Sequence, residues 1–136
     1  MSIVYAMANI GLWIVHIAVI VLNCVGWAHP KTRRFSLWLL VFTLVGWVGL
    51  GLVYGLGYCV LTDIHWRVRE NMGIYDNPSG FIQLLIRELT GSLPSDAFVM
   101  GLAVGGAMVG AIGHIAMACI RRDLTTESRE VETKLP

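Results

Sequence analysis

Three stretches of this chain carry no Asp, Glu, Lys or Arg: Ile3 to Trp27, Leu37 to Leu61, and Ala97 to Ile120. Each exceeds the ~20 apolar residues an α-helix needs to cross a hydrocarbon core about 30 Å thick. The pattern predicts an all-α integral membrane bundle with spans over residues 3–27, 37–61 and 97–120. Buried helices of a soluble domain do not fit, because the remaining polar sequence is too short to cover three such runs. The polar positions inside the first run are themselves patterned. Asn9, Trp13, His16, Ile20, Asn23 and Trp27 are spaced 4, 3, 4, 3, 4, which is one stripe of a helix. A polar stripe at that depth must face protein or water rather than lipid. It predicts the seam along which span one meets its neighbours.

The other spans advertise contact through small residues. Span two holds Gly46, Gly49, Gly51, Gly55 and Gly57, with Gly51 and Gly55 a small-xxx-small pair. Span three holds Gly101, Gly105, Gly106, Gly110 and Gly113, and His114 lies four residues beyond Gly110. A loop over residues 28–36 is expected between spans one and two, with Pro30 preventing simple continuation and Trp27 and Trp38 at the interface. The outer segment 62–96 is patterned enough to be partly helical. Thr62 reads as an N-cap, Asp63 as a favourable first-turn acid, and Ile64, Val68 and Met72 as the packed face. Gly73 suits a helix stop. The cluster Asp76-Asn77-Pro78-Ser79-Gly80 is a turn, and a second short helix is expected over Phe81 to Thr90, closed by Gly91. That helix lies in the interface or dips between spans; counting it as a crossing gives a four-helix alternative. Ser92 or Ser95, with Pro94, opens span three.

Composition agrees with the pattern: 56% of the residues are hydrophobic and 14% charged, against roughly a quarter charged in soluble domains. The net charge of +1, with no long basic cluster, gives no case for nucleic-acid binding. The opening run lacks a basic n-region and is too long for the core of a cleavable signal. Lys31, Arg33 and Arg34 follow span one, and Arg121 and Arg122 end span three. With three spans both clusters fall on one side. The N-terminus is therefore expected outside and the C-terminus in the cytoplasm of a cell (inner) membrane, with residues 121–136 a polar tail lacking order beyond about its first turn. Arg67, Arg69 and Arg87 in the outer segment run against this, diluted by five acids. Cys24, Cys59 and Cys119 form no C-x-x-C; each reads as a small buried hydrophobe.

The densest run of distinctive residues is Cys59-Val60-Leu61-Thr62-Asp63-Ile64-His65-Trp66-Arg67-Val68-Arg69. It resembles the C-P-L-T motif, in its C-P-L-T-D-W-H-W form, of a bacterial domain-of-unknown-function family of small polytopic membrane proteins. Cys59, Leu61, Thr62, Asp63, His65, Trp66 and Arg69 carry the likeness, with Gly80-Phe81-Ile82 and His16 matching elsewhere. It covers roughly residues 9–91. Val60 stands where the family has proline, and His65 where other members carry a glutamate that would complete a capping box. The resemblance implies a membrane architecture and no activity.

Cys59, Thr62, Asp63, His65, Trp66, Arg67 and Arg69 sit within two to three turns at the outer mouth of the bundle. They form the candidate binding cluster for an anionic headgroup, a small solute or a protein partner. Capping by Thr62 and Asp63, and an exposed Asp63–Arg67 pair, compete with that reading. Asn9, Trp13, His16, Asn23 and His114 form the intramembrane polar seam, in which His16 would hydrogen-bond Asn9, Asn23, Thr43 or Tyr54. His16, His65 and His114 also invite haem or metal ligation. His16 and His114 differ in depth by about 7 Å at ~1.5 Å per residue, which is awkward for one iron, so no cofactor is expected. No G-x-S-x-G or H-E-x-x-H occurs and no acid lies within a span, which disfavours hydrolysis and coupled transport. The sequence thus points to a non-enzymatic accessory or lipid- or partner-recognising membrane component, alone or as a homo-oligomer. A haem-, metal- or ligand-binding redox protein is the alternative.

Overall fold

A computed structural model describes residues 2–55 and 57–134, with side chains placed as far as Arg122 and at Thr126. Six helices follow in order: α1 (Ile3–Val25), α2 (Pro30–Gly49), α3 (Gly51–Tyr54), α4 (Val60–Asn71), α5 (Phe81–Thr90) and α6 (Asp96–Lys134). Three stretches are long and apolar enough to cross a membrane: Ile3–Val25, Pro30–Tyr54 and Asp96–Arg122, with mean hydropathies of 2.1, 2.1 and 1.8. α5 has 10 residues, about 15 Å of helix, too short to span; the four-crossing alternative falls.

Span two is displaced from its expected limits of 37–61. It starts at Pro30, which sits at N1, where its missing N–H costs nothing, and the His29 ring caps it by accepting from Lys31 N–H at 3.3 Å. Only four residues therefore join α1 to α2, and Lys31, Arg33 and Arg34 lie in helix rather than loop. The Arg33 side chain returns to the Trp27 carbonyl at 2.9 Å. The span ends at Gly55 and Gly57, whose φ of 103° and 87° no L side chain adopts readily. Gly55 thus terminates a helix instead of packing one, contrary to its small-xxx-small reading. α6 runs on through Lys134, overturning the expected loss of order. No Gly or Pro follows Gly113 before that point. Residues 135–136 of the expected tail lie outside the described residues.

α1 is central, packing on α6, α4 and α2. The buried residues invert the order of a soluble core. Among the described residues the buried apolar ones are Leu40, Phe81 and Leu84, while His16, Asn23, Ser36, Thr62, His65, Arg69, Gln83 and His114 are buried polar groups. The solvent for this surface is lipid, so apolar side chains lose nothing by facing outward and polar ones must pair inside. α4 follows the same rule. Its buried face is Thr62, His65 and Arg69, and Ile64 is exposed, the reverse of the expected Ile64–Val68–Met72 face.

α6 approaches α1 where glycines permit. A Cβ at Gly110 would collide with the Asn23 carbonyl, and one at Gly113 with the Trp27 ring. At this end Ser36 Oγ donates to the Leu22 carbonyl at 2.8 Å and accepts from His114 Nε2 at 3.2 Å. The α1–α2 connection therefore lies beside residues 113–114. Beyond the other end, the segment after α4 is tied down by Arg69 Nε donating to Asn77 at 2.7 Å and by an Arg87–Asp76 ion pair at 2.9 Å. Gln83 reaches the Pro94 carbonyl at 2.7 Å and Asp96 at 3.0 Å. Ser95 caps α6 by accepting from Phe98 N–H.

Candidate functional site

α4 begins three residues earlier than expected, with Cys59 and not Thr62 at the N-cap. The shift places Thr62 on the third turn-forming position, facing α1, where its hydroxyl lies 3.3 Å from His16 Nε2. His16 is fixed by a second contact, Nδ1 to the Leu12 carbonyl at 2.8 Å. A carbonyl only accepts, so Nδ1 carries the proton and Nε2 presents a lone pair to Thr62. The partners expected for His16 belong elsewhere. Asn9 accepts from His65 Nε2 at 2.8 Å, and Asn23 donates to the Thr43 hydroxyl at 3.1 Å.

The aromatic surroundings are dense. Phe81 stacks on His16 at 4.0 Å between centroids and 15° between planes, and Trp13 meets Phe81 edge-on at 5.0 Å. His65, with no exposed surface, lies 5.4 Å from His16 ring to ring. With Nε2–H donating to Asn9, its Nδ1 is a buried acceptor without a partner among the described residues. Burial, then the neighbouring His16 and Arg69, hold the His65 pKa down to about 4, so the ring is neutral at pH 7.

A cavity of about 520 Å³ opens beside this cluster, within the ~300–1,000 Å³ usual for small-molecule sites. Its long walls are apolar, from Val19, Ile20, Trp47, Val99, Met100 and Ala103. One end is polar, with His16, Cys59, Thr62 and Asp63. Seven residues along α1, about 10 Å away, Asn23 reaches the same wall. The Thr43 hydroxyl gives its proton to the Leu39 carbonyl at 2.8 Å, so it must accept from Asn23 Nδ2. That fixes the amide and leaves Asn23 Oδ1 buried with no partner among the described residues.

Cys59 is half-buried at the start of α4. Burial pushes its thiol pKa up, but the His16 ring and the Thr62 and Leu61 amides at the start of α4 outweigh it and bring the value down to about 7. Cys24 lines the same cavity, so the two cysteines share a space despite their separation along the sequence.

Of the expected binding cluster, then, Cys59, Thr62, Asp63 and Trp66 converge on one cavity with His16 and Asn23. Arg67 does not; it faces outward and pairs with Asp63 at 3.2 Å. Arg69 holds Asn77 and lies 5.8 Å from the Trp66 ring. His65, Asn9 and Trp13 pack behind the cavity, and His114 is engaged with Ser36 elsewhere. The sequence reading missed Phe81, which stacks on His16, and the α6 wall at Ala103. Position 81 had only the family-like Gly-Phe-Ile triplet to mark it.

Residues 6–118 match the family described as "Protein of Unknown function (DUF2784)", and the chain belongs to that family. No curated protein and no solved structure matches it.

Proposed function

We propose that this member of a family of unknown function is a multi-pass membrane protein that binds an elongated, apolar-bodied amphipath. The cavity between α1, α2–α3, α4 and α6 carries this reading, with apolar walls and a polar end at His16, Thr62 and Asp63. The ligand is therefore lipid-like, with its polar group beside His16, Thr62 and Asp63. Arg67, paired with Asp63, and Arg69, buried and bound to Asn77, favour recognition inside the cavity over capture of an anionic headgroup at its mouth.

Ala103→Trp tests the reading by filling the wall. Full-length protein purified in mild detergent is expected to carry a bound amphipath detectable by native mass spectrometry. The Trp variant, with helicity and monodispersity unchanged, is expected to carry at least about tenfold less. Equal amounts of the same lipids on both proteins, in the proportions of the bulk extract, would sink it.

We also propose the orientation with the N-terminus outside. The bond between His114 and Ser36 draws the start of α2, with Lys31, Arg33 and Arg34, toward the end of the α6 span at Arg121 and Arg122, so both basic clusters support one cytoplasmic face. A reporter that is active only outside the cytoplasm is expected to be silent when fused after Pro136, and activity there would reverse the assignment.

A further inference from the structure

The cavity has a floor. A Cβ at Gly106 would stand 3.1 Å from Cys24 Sγ, and one turn further along α6 a Cβ at Gly110 would collide with the Asn23 carbonyl, so α1 and α6 close on each other at this level. From the side of α2 the Asn23–Thr43 bond and the buried Leu40, 3.6 Å from the same Gly110 position, complete the closure. The lining accordingly stops at Cys24, Gly106 and Ala107. We propose that this blind slot selects a single-chain amphipath with an uncharged, hydroxyl-bearing head and a tail of about a dozen carbons. The inference rests on the binding reading above and names the class of ligand.

Length and volume bound the ligand separately. The α6 wall runs from Asp96 to Ala107, about 16 Å of helix, and the α1 wall from His16 to Cys24, about 12 Å. With C–C bonds of ~1.5 Å at tetrahedral angles an extended alkyl chain advances about 1.25 Å per carbon, so these walls take about 10–13 carbons. The volume of about 520 Å³, at the ~30 Å³ that a water-sized group occupies in a liquid, holds about 17 non-hydrogen atoms. A tail of about twelve then leaves room for a head of roughly glycerol size. A two-chain membrane lipid carries far more atoms than this and does not fit.

The character of the head follows from the groups around it. Among the described residues that line the cavity there is no Lys or Arg, so an anionic head would lie unpaired beside two carboxylates. Both carboxylates are already met. Asp63 pairs with Arg67 at 3.2 Å, and Asp96, in the first turn of α6, accepts from Ser79 Oγ at 2.6 Å and Gln83 Nε2 at 3.0 Å. Neither acid needs a cation from the ligand. Thr62 gives its proton to His16 Nε2, so Thr62 and Asp63 have only lone pairs left to offer. The polar end therefore asks for hydrogen-bond donors, and a hydroxyl supplies them without charge.

The test uses the full chain in phosphatidylcholine nanodiscs, with a twelve-carbon monoglyceride bearing a diazirine at the end of its tail. Saturable crosslinking is expected, mapped by fragment mass spectrometry to the floor at Cys24, Gly106 or Ala107 and lost in Ala103→Trp. At equal mole fraction in the membrane, unlabelled twelve-carbon monoglyceride is expected to displace the probe at least about tenfold better than three competitors: the eighteen-carbon monoglyceride, dodecyl phosphate and dodecyltrimethylammonium. Ala107→Phe raises the floor. With helicity unchanged, it is expected to move the best competitor from twelve carbons toward eight; the series on the parent decides the matter if this variant does not fold. Equal displacement by the eighteen-carbon chain or by either charged amphipath would overturn the inference, as would an unchanged preference in folded Ala107→Phe. In each of those cases saturable labelling that Ala103→Trp removes leaves the binding reading standing. Unsaturable label confined to lipid-facing residues would sink both.

Discussion

Gly110→Ala is expected to destabilise the bundle by about 1–3 kcal/mol, although alanine is the better helix former by ~0.8–1 kcal/mol. The new methyl would occupy the position of the Asn23 backbone carbonyl, and backbone cannot rotate away as a side chain does. α6 must then withdraw from α1. The Asn23–Thr43 and Ser36–His114 bonds flank this contact and would loosen with it. Gly101 and Gly105 provide the control. A Cβ at either meets nothing within 4 Å, so alanine there is expected to be neutral or mildly stabilising. Thermal or SDS-driven unfolding of the detergent-solubilised chain reads all three. Equal effects at the three positions would show that α6 does not approach α1 through Gly110.

The three spans were legible because a missing charge over twenty or more residues has few other causes. Their ends were less so. Nothing charged separates Tyr54 from Thr62, so hydropathy carried span two through a break that two positive-φ glycines impose. At Pro30 proline was read as an obstacle where it is a helix start, since the N–H it lacks is one the first turn leaves unpaired anyway. α5, by contrast, has the predicted limits, and Gly91 ends it in the left-handed conformation expected of a terminal glycine.

The seam on α1 was visible in its spacing, and all its members are buried or half-buried. Its pairings were not, because they depend on how α4 folds back. His16 and Thr62 are 46 residues apart, and His65 and Asn9 are 56 apart. No local periodicity joins such positions. The face of α4 was misjudged for a different reason. The apolar-inside rule of water-soluble helices selected Ile64, Val68 and Met72, whereas a helix at the lipid boundary turns Thr62, His65 and Arg69 inward. Reading the polar residues as the buried set would have turned Thr62, His65 and Arg69 inward from the sequence.

Lowering the pH from 7 to 4.5 is expected to remove stability through His65. Protonation would bury a positive charge on a ring with no exposed surface, put an N–H where Nδ1 has no acceptor, and crowd His16 and Arg69 with a further charge. The free imidazole titrates near 6.5 and the buried one near 4, so between these values the unfolded chain binds more protons than the folded one. Stability from this source is therefore full above about 6.5 and drains away as the pH falls toward 4. At ~1.4 kcal/mol per pKa unit, reduced for partial hydration of the ring, the loss comes to about 2 kcal/mol. His65→Gln separates this from carboxylate titration, since an amide N–H can still donate to Asn9 but does not titrate. The parent is expected to lose about 2 kcal/mol more than the glutamine variant between pH 7 and 4.5, measured by unfolding in detergent. Parallel pH profiles would mean that His65 takes up its proton as readily in the folded bundle as in the unfolded chain.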